Sequence, residues 1–381
     1  MINITDKHNC CGCSACVQRC PRQCISLIED NEGFLYPHVN IDKCIDCRLC
    51  ENVCPIITPY KESEPLQAYA LINEDDEVRM QSSSGGIFTL IANYVIEKHG
   101  VIFGATYDPK WNVRHIYIRD KSELAKFRGS KYLQSNINST YKETEIFLKK
   151  GILVLFSGTS CQIAGLKHFL RKDYDNLITI DCICHGVPSP KVWQLYLKEL
   201  VGRIENIKSI SFRDKKTGWK NYSFTINLKD GTTITHLASK DVYMHGFLSN
   251  LYLRPSCEKC PSKSGRSGCD ITLADYWGVN ILNPDMDDDK GTSLILAYTE
   301  KGKNILKELK CKSKLISFED AKKMNGGFKD CAIPHKKRKL FFEQFNILEF
   351  SILVSKCLHL SFRERLALKF YRIKKKLQYY L

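Results

Sequence analysis

The sequence predicts a small α+β module built around clustered cysteines, then an α/β domain with a mixed sheet, then C-terminal helices. Three observations predict it. Two runs share one spacing, Cys10-x2-Cys13-x2-Cys16-x3-Cys20-Pro21 and Cys44-x2-Cys47-x2-Cys50-x3-Cys54-Pro55. Apolar strand-like segments alternate with helix-like segments from residue 67 to residue 199, the pattern of parallel strands joined by crossover helices. Alternating segments between 207 and 237 then add antiparallel strands.

In each cysteine run, three thiolates are spaced so that one tight loop grips one [4Fe-4S] cube, and the fourth, before proline, reaches the other cube. This is a ferredoxin-like two-cluster module. Cluster one is expected on Cys10, Cys13, Cys16 and Cys54, and cluster two on Cys44, Cys47, Cys50 and Cys20. A pair of zinc knuckles is the alternative, but structural zinc usually takes separated Cys-x2-Cys or Cys/His pairs. Cys11 and Cys24 fall outside the pattern and read as buried or spare thiols. Residues 1–58 complete the module, residues 66–335 form the body, and residues 336–381 form a basic helical extension.

Composition narrows the class. At about 150 residues per domain, the rest of the 381-residue chain makes one large or two ordinary domains, and 43% hydrophobic residues can fill a core. Nineteen cysteines, an odd number, exclude a complete disulfide framework. The start MINITDKHNC has no apolar stretch for a secretory signal, so a cytoplasmic location is expected, where metal binding is the usual use of clustered thiols. Of the net charge of +15, residues 336–381 carry +9, twelve Lys/Arg against three Glu. A basic tail without a nucleic-acid-binding fold gives no ground for a nucleic-acid partner.

After Pro55, IITPYKESEPLQ reads as a linker and QAYALIN as the strand that opens the body. Gln81 to Val95 starts with small residues and continues with apolar positions at helical spacing (Ile87, Leu90, Ile91, Tyr94, Val95). Such a turn at a helix N-terminus suits a phosphate; a plain cap is the alternative. VIFGATYD and HIYIR read as strands, and Arg128 and Lys131 in the polar FRGSKYLQS stretch suit an anionic ligand or solvent. A helix over 139–150, the strand ILVLF, the helix CQIAGLKHFLRK, the strand LITIDCIC and the helix VWQLYLKEL follow. Cys161, Cys184 and His185 thus fall just beyond strand C-termini, where open α/β sheets build their sites.

SISFRD, YSFTINL and TTITHL, the last two joined at Lys229-Asp230-Gly231, read as an antiparallel addition to the sheet. A helix over about 240–251 leads to Cys257-x2-Cys260. The loop PDMDDDKG suits a hard cation through Asp285, Asp287, Asp288 and Asp289, or solvent. Beyond it the sequence predicts a strand (LILAY), helices to about 325, and two C-terminal helices. FNILEFSILVSKCLHL is too short to span a bilayer. From Ser361, a capping box with Glu364 opens a basic amphipathic helix striped by Phe362, Leu366, Phe370, Ile373 and Leu377. It suits peripheral contact with an anionic membrane, or packing on the body with a solvated basic face.

For the body cysteines, the quartet that turns can present to a third cluster is Cys161, Cys184, Cys257 and Cys260. Cys182 lies deeper on its strand, and a dithiol pair or zinc clip is the alternative for Cys257 and Cys260. No acid/base pair stands out; His185 is the nearest candidate, with a structural histidine as the alternative.

The ordered segments SSSGGIF, GSKYLQS, FSGTSCQIAGL, DCICHGVPSP, RPSCEKC and DITLADYWG, behind the doubled cysteine run, resemble the coenzyme F420 hydrogenase/dehydrogenase family of beta subunits over residues 1 to about 330. The resemblance implies an iron–sulfur flavoprotein oxidoreductase that binds FAD and passes electrons between a two-electron organic substrate and iron–sulfur clusters. It implies Ser84, Gly85 and Gly86 at the flavin phosphates, Lys131 and Tyr132 beside FAD, and Cys161, Cys184, Cys257 and Cys260 on a further [4Fe-4S] cluster. Ser160 stands where relatives commonly carry proline. Bacterial relatives often accompany surface polysaccharide genes, which makes that biosynthesis an expected setting. The expected partners are ferredoxin or another redox protein and a small-molecule substrate. An electron-transfer subunit without a substrate of its own, or a scaffold with structural clusters, are the alternatives.

Overall fold

A computed structural model describes residues 1–359. The chain opens with a two-stranded antiparallel sheet, β1 (Ile25–Glu29) and β2 (Leu35–Val39), and two short helices, α1 (Ala15–Arg19) and α2 (Leu49–Asn52). The helices start at matching places in the two cysteine runs. Ser14 and Arg48, each directly after the second cysteine, take left-handed backbone (φ +62° and +56°) and fold each run back on itself.

The body is built on an eight-stranded mixed sheet in the order β13-β3-β12-β11-β7-β6-β4-β5. Its first part comprises β3 (Gln67–Ile72), α3 (Asp76–Gln81), α4 (Ile87–Glu97), β4 (Val101–Tyr107), β5 (Val113–Ile118), α5 (Thr140–Lys149), β6 (Val154–Ser157), α6 (Ser160–Leu170), β7 (Leu177–Cys182) and α7 (Pro190–Val201). β4, β6 and β7 run parallel, and β5 returns antiparallel on β4. Both faces of these central strands are covered, so they read as unbroken apolar runs. Ile102, Leu155 and Ile178 pack against Ile87, Ile91 and Val95 of α4 on one face. Phe103 and Phe156 pack against α5 and α6 on the other, where the cysteine module also docks through Cys13 and Ala15.

β8 (Ile207–Asp214), β9 (Ser223–Leu228) and β10 (Thr233–Leu237) do not extend the main sheet as expected; they form a separate three-stranded antiparallel sheet. Alternation tells which face of a strand is buried, not which neighbour it pairs with. This small sheet encloses an aromatic core of Trp193, Tyr196, Phe212, Phe224, Tyr243 and Tyr252, shared with α7 and with α8 (Val242–Leu248).

The chain then returns to the main sheet through β11 (Ile271–Asp275), parallel to β7. α9 (Val279–Leu282), β12 (Ser293–Ala297), α10 (Glu300–Glu308), β13 (Lys312–Ile316) and α11 (Phe318–Met324) follow. β13 lies where only helices were expected. It is an edge strand paired with β3 alone, and its sequence, Lys-Ser-Lys-Leu-Ile, lacks the apolar alternation of a half-buried strand. α12 (Arg338–Gln344) and α13 (Phe350–Leu358) close the aromatic core with Phe341, Phe350, Leu353 and Val354, so this stretch of the basic extension is integral to the body. The helix expected from Ser361 lies outside the described residues. Among those described, no helix is long and apolar enough to cross a membrane.

The cysteine module is tied to the body by polar contacts. Gln18 Oε1 accepts from the Tyr141 amide (3.0 Å), Glu32 pairs with Arg338 on both guanidinium nitrogens (2.9 and 2.5 Å), and His8 meets Glu258 (3.0 Å).

Candidate functional site

Two small apolar cavities lie inside the cysteine module. Cys10, Cys13, Cys16 and Cys54 line one, closed by Ile2, Ile4, Leu27, Pro37 and Ile56. Cys20, Cys44, Cys47 and Cys50 line the other, closed by Ile25, Val39, Ile45 and Leu49. The two expected quartets are thus each gathered on one cavity, with the cysteine before proline crossing to the opposite run. The two cysteines outside the pattern are also near. Cys11 lines the first cavity, and Cys24 lines the second with its sulfur 3.4 Å from that of Cys20. Among the described residues no three Cys, His, Asp or Glu converge tightly enough for a single metal ion. A four-iron cube, whose ligand sulfurs sit on separate irons, takes a wider ring of thiols than one zinc does.

In the body, Cys161 sits in the first turn of α6, Cys184 follows β7, and Cys257 and Cys260 flank a short 3-10 turn (Pro255–Lys259). These four lie within charge-interaction range of one another. Burial first, and then Cys161, pushes the thiols of Cys184 and Cys260 up to about 12. Thiols so buried and so close ionise together only around a cation. Ser160, the position at which the family resemblance leads one to expect proline, occupies the first position of α6, and the helix start is held by a capping box of Thr159 and Gln162. Proline's pre-set geometry at that position is therefore dispensable. Cys182 ends β7 and Cys331 donates to the Cys260 carbonyl (3.8 Å), while Cys269 is buried apart among Ser267, Thr272 and Asp181. Cys11 links the module to this group, since its thiol contacts both Cys13 and Cys161.

Beside the body cysteines opens a cavity of about 580 Å³ at the C-terminal ends of β6 and β7. It collects Ser84, Gly86, Lys131, Tyr132, Cys182, Cys184 and His185 on one surface. Ser82 and Ser83 of the turn before α4 line it as well. α4 begins on Gly86 in left-handed conformation (φ +81°) with no side-chain cap. Gly86 is the N-cap, as the alternative had it, and because it offers no side-chain cap the first amides of α4 are open to the cavity that Gly86, Ile87 and Phe88 line. Gly85 plays a different part from the one expected, because its amide donates to Ser293 Oγ (2.9 Å) and its carbonyl accepts from Asn73 (2.8 Å). It packs the turn against β3 and β12.

Lys131 lines the cavity next to this turn. Burial pulls its ammonium down to about 8, and it donates to the carbonyls of Arg128 and Gly129 (3.2 Å each). Tyr132 stacks on Phe247 (centroids 5.0 Å apart) and its hydroxyl accepts from Arg213 (3.3 Å). His185 is exposed on the rim, with Nε2 on Asn250 Oδ1 (2.6 Å). Asn250 Nδ2 donates to the Ile333 carbonyl, which turns its oxygen toward the imidazole and places the His185 proton on Nε2. The protein packed around the inner side of the ring, together with the Lys263 charge, holds the imidazole below its ordinary pKa against its hydrogen bonds to Asn250 and the Phe247 backbone.

Several residues at this cavity carry no pattern in the sequence. Arg213 pairs with Asp275 (2.9 and 3.2 Å), lies over the Tyr222 ring (4.0 Å), and has a buried Nε that meets no acceptor among the described residues. Trp277 lines the same wall and stacks on Trp219. Lys215, buried beneath the turn, donates to the carbonyls of Arg79 (2.6 Å), Ser84 (2.9 Å) and Lys290 (2.6 Å). Burial, with the charges of Arg79 and Arg213, pulls its ammonium down to about 7, yet three acceptors need three N–H donors, which only the charged amine has. Lys215→Met should therefore free the Ser84 carbonyl and loosen the turn. The expected outcome is faster amide hydrogen exchange over residues 82–88 with the iron content unchanged.

The acidic loop holds ion pairs in place of a cation. Asp285 pairs with Lys314 (2.7 Å), Asp287 with Lys220 (2.5 Å) and Asp288 with Arg79 (2.7 and 2.5 Å), while Asp289 accepts from the Lys220 amide (3.0 Å). With each carboxylate engaged, the loop clasps α3 and the β8–β9 turn.

Comparison with known proteins agrees with this layout. Residues 9–56 match the 4Fe-4S dicluster domain, residues 68–142 match "Coenzyme F420 hydrogenase/dehydrogenase, beta subunit N-term", and residues 152–323 match the C terminus of the same beta subunit. The chain is 22% identical over 312 residues to a subunit of the F(420)H(2) dehydrogenase of Methanosarcina mazei, covering 77% of this chain and 80% of that relative. Its N-terminal part is 36% identical over 87 residues to a ferredoxin of Mycolicibacterium smegmatis, covering 22% of this chain and 71% of that relative. A chain of the F420-reducing [NiFe] hydrogenase complex from Methanosarcina barkeri superposes with a TM-score of 0.48 at 18% identity, over 70% of this chain and 90% of that one.

Proposed function

Because the chain belongs to the coenzyme F420 hydrogenase/dehydrogenase family of beta subunits and carries a 4Fe-4S dicluster domain, we propose that it is an iron–sulfur flavoprotein oxidoreductase that exchanges electrons between its clusters and an organic substrate through FAD. One observation carries the reading. The uncapped start of α4 and the body cysteine Cys184 line the same cavity of about 580 Å³, so a flavin held there by its phosphates shares its cavity with a body thiol. The buried, unpartnered Arg213 Nε and the aromatic faces of Tyr222 and Trp277 suit a planar, hydrogen-bonding ring system.

In this reading Cys10, Cys13, Cys16 and Cys54 hold cluster one, Cys44, Cys47, Cys50 and Cys20 cluster two, and Cys161, Cys184, Cys257 and Cys260 a third. Domains follow as residues 1–58 and 66–335, with the described part of 336–381 closing the body's aromatic core. Iron–sulfur clusters supply one-electron exchange and a flavin one- or two-electron exchange when bound. The chain's own residues do the rest. The first amides of α4, with Arg128 and Lys131, bind phosphate; Phe247 and Tyr132 exclude water from the ring side; His185 exchanges a proton at the rim. Substrate is a small organic hydride donor or acceptor, and a sugar-linked intermediate of surface polysaccharide biosynthesis is a member of that class.

Anaerobic purification should yield about twelve irons, an equal amount of acid-labile sulfide and one FAD per chain, as three cubes require. About eight irons and no flavin would leave only the dicluster module. A second reading, an electron-transfer subunit serving a partner enzyme, is favoured by the name of the Methanosarcina mazei relative, itself a subunit. Turnover by the isolated chain with a small-molecule acceptor decides against it.

A further inference from the structure

Arg254 is fully buried, at 0% exposure, between the cysteine module and the body, three residues before Cys257. Its guanidinium is almost fully engaged. Nε donates to the Cys10 carbonyl (2.7 Å), Nη1 to Gln134 Oε1 (2.9 Å), and Nη2 to the Leu35 carbonyl (2.9 Å) and to the Cys10 sulfur (3.5 Å). The rings of Tyr36 and Phe34 cover it at 4.3 and 5.4 Å. Gly12 (φ +72°) makes room for it, since a Cβ there would stand 2.9 Å from Nη1 and 2.5 Å from Gln134 Nε2.

None of these acceptors is a carboxylate. The body's other two buried arginines each have one, Asp288 for Arg79 and Asp275 for Arg213. A guanidinium stays charged in a protein, and burying it without a counter-charge costs several kcal/mol at least. The ionisable groups near Arg254 include Cys10, Tyr36, Cys11, Cys257 and Cys161. Three of these are ligands in the proposed reading, Cys10 of cluster one and Cys257 and Cys161 of the body cluster, and Cys10 alone receives a hydrogen bond on sulfur from the guanidinium. The cations lining the cluster-two cavity, Arg22 and Arg48, are exposed and solvent screens them.

We infer that Arg254 is the buried counter-charge of cluster one, donating an N–H···S hydrogen bond to Cys10 that raises this cluster's reduction potential above that of cluster two and draws an electron toward the Cys257 side. The inference rests on the ligand assignment proposed above. A positive charge and a hydrogen bond at a ligand sulfur stabilise the more negative, reduced cluster, and such outer contacts are a main control of cluster potential. Entry is set by exposure, since Cys47 of cluster two faces solvent while Cys13 and Cys16 of cluster one are buried.

The test compares the anaerobically purified full chain with Arg254→Met and Arg254→Lys, reading the electron paramagnetic resonance of each cluster at a series of fixed potentials. Cys47→Ser identifies the cluster-two signal. At the potential that half-reduces cluster one in the wild type, Arg254→Met should lower its reduced-to-oxidised ratio about tenfold, about 59 mV for a one-electron couple. Cluster two should stay in place, and Arg254→Lys, which keeps the charge and loses the fork, should fall between. Unmoved cluster-one potentials at unchanged iron content, or equal shifts of both clusters, overturn the inference. If Arg254→Met does not retain its clusters, Arg254→Lys alone carries the test by the same criteria. A wild-type chain with fewer than about eight irons would instead mean that the ligand assignment itself fails.

Discussion

Replacing Cys257 and Cys260 together with alanine should lower the iron content from about twelve to about eight per chain while leaving FAD bound. Both sulfurs belong to the quartet around Cys161 and Cys184, and neither lines the dicluster cavities. Neither Cys257 nor Cys260 lines the cavity proposed for flavin, so flavin retention separates loss of a cluster from general unfolding. Reduction of flavin by a one-electron donor acting on the module should slow markedly, because the proposed relay loses the body cluster between the module and the flavin cavity. Iron and sulfide analysis beside stopped-flow absorbance reads both effects. Twelve irons in the double variant would remove Cys257 and Cys260 from the ligand set.

The second large effect is expected at Gly85. A Cβ there would stand 2.5 Å from the Leu71 carbonyl and 2.7 Å from the Ser293 amide, and neither backbone atom can withdraw without opening β3 from β12. Gly85→Ala should therefore push the turn into the cavity and displace the Gly86 start of α4. Overpacking of this kind costs about 1–3 kcal/mol, which taken wholly from binding weakens flavin affinity about five- to hundredfold. Fluorescence quenching on adding FAD to flavin-depleted protein measures it, with iron content as the control. Unchanged affinity would mean that flavin, if bound, does not rely on this turn.

The sequence was most legible where chemistry imposes a spacing. The cysteine runs specify which thiols share a cavity because a cube and a tight turn permit few arrangements, and the apolar runs of β4, β6 and β7 announce strands covered on both faces. It was less legible where pairing is long-range. The strands at 207–237 alternate clearly, yet nothing local tells that they pair only with one another and take α12 and α13 as their lid. β13 was hidden by its two lysines, which suit an exposed edge. Arg213, Lys215 and Arg254 carry no pattern in the sequence; only the fold reveals that each is buried, and that carbonyls hold Lys215 where Asp275 holds Arg213. The acidic loop shows the converse, since its four aspartates suggested a cation and are engaged mainly by basic side chains from other segments.

The central claim is that one chain holds both one-electron centres and a two-electron centre in electronic contact. Stepwise anaerobic reduction of the purified chain, with cluster resonance and flavin absorbance followed together, tests it most directly. Three clusters and one flavin predict uptake of about five electrons per chain, with flavin bleaching in step with the clusters. Uptake of about two electrons, with no change at flavin wavelengths, would contradict the account and leave the chain a two-cluster carrier.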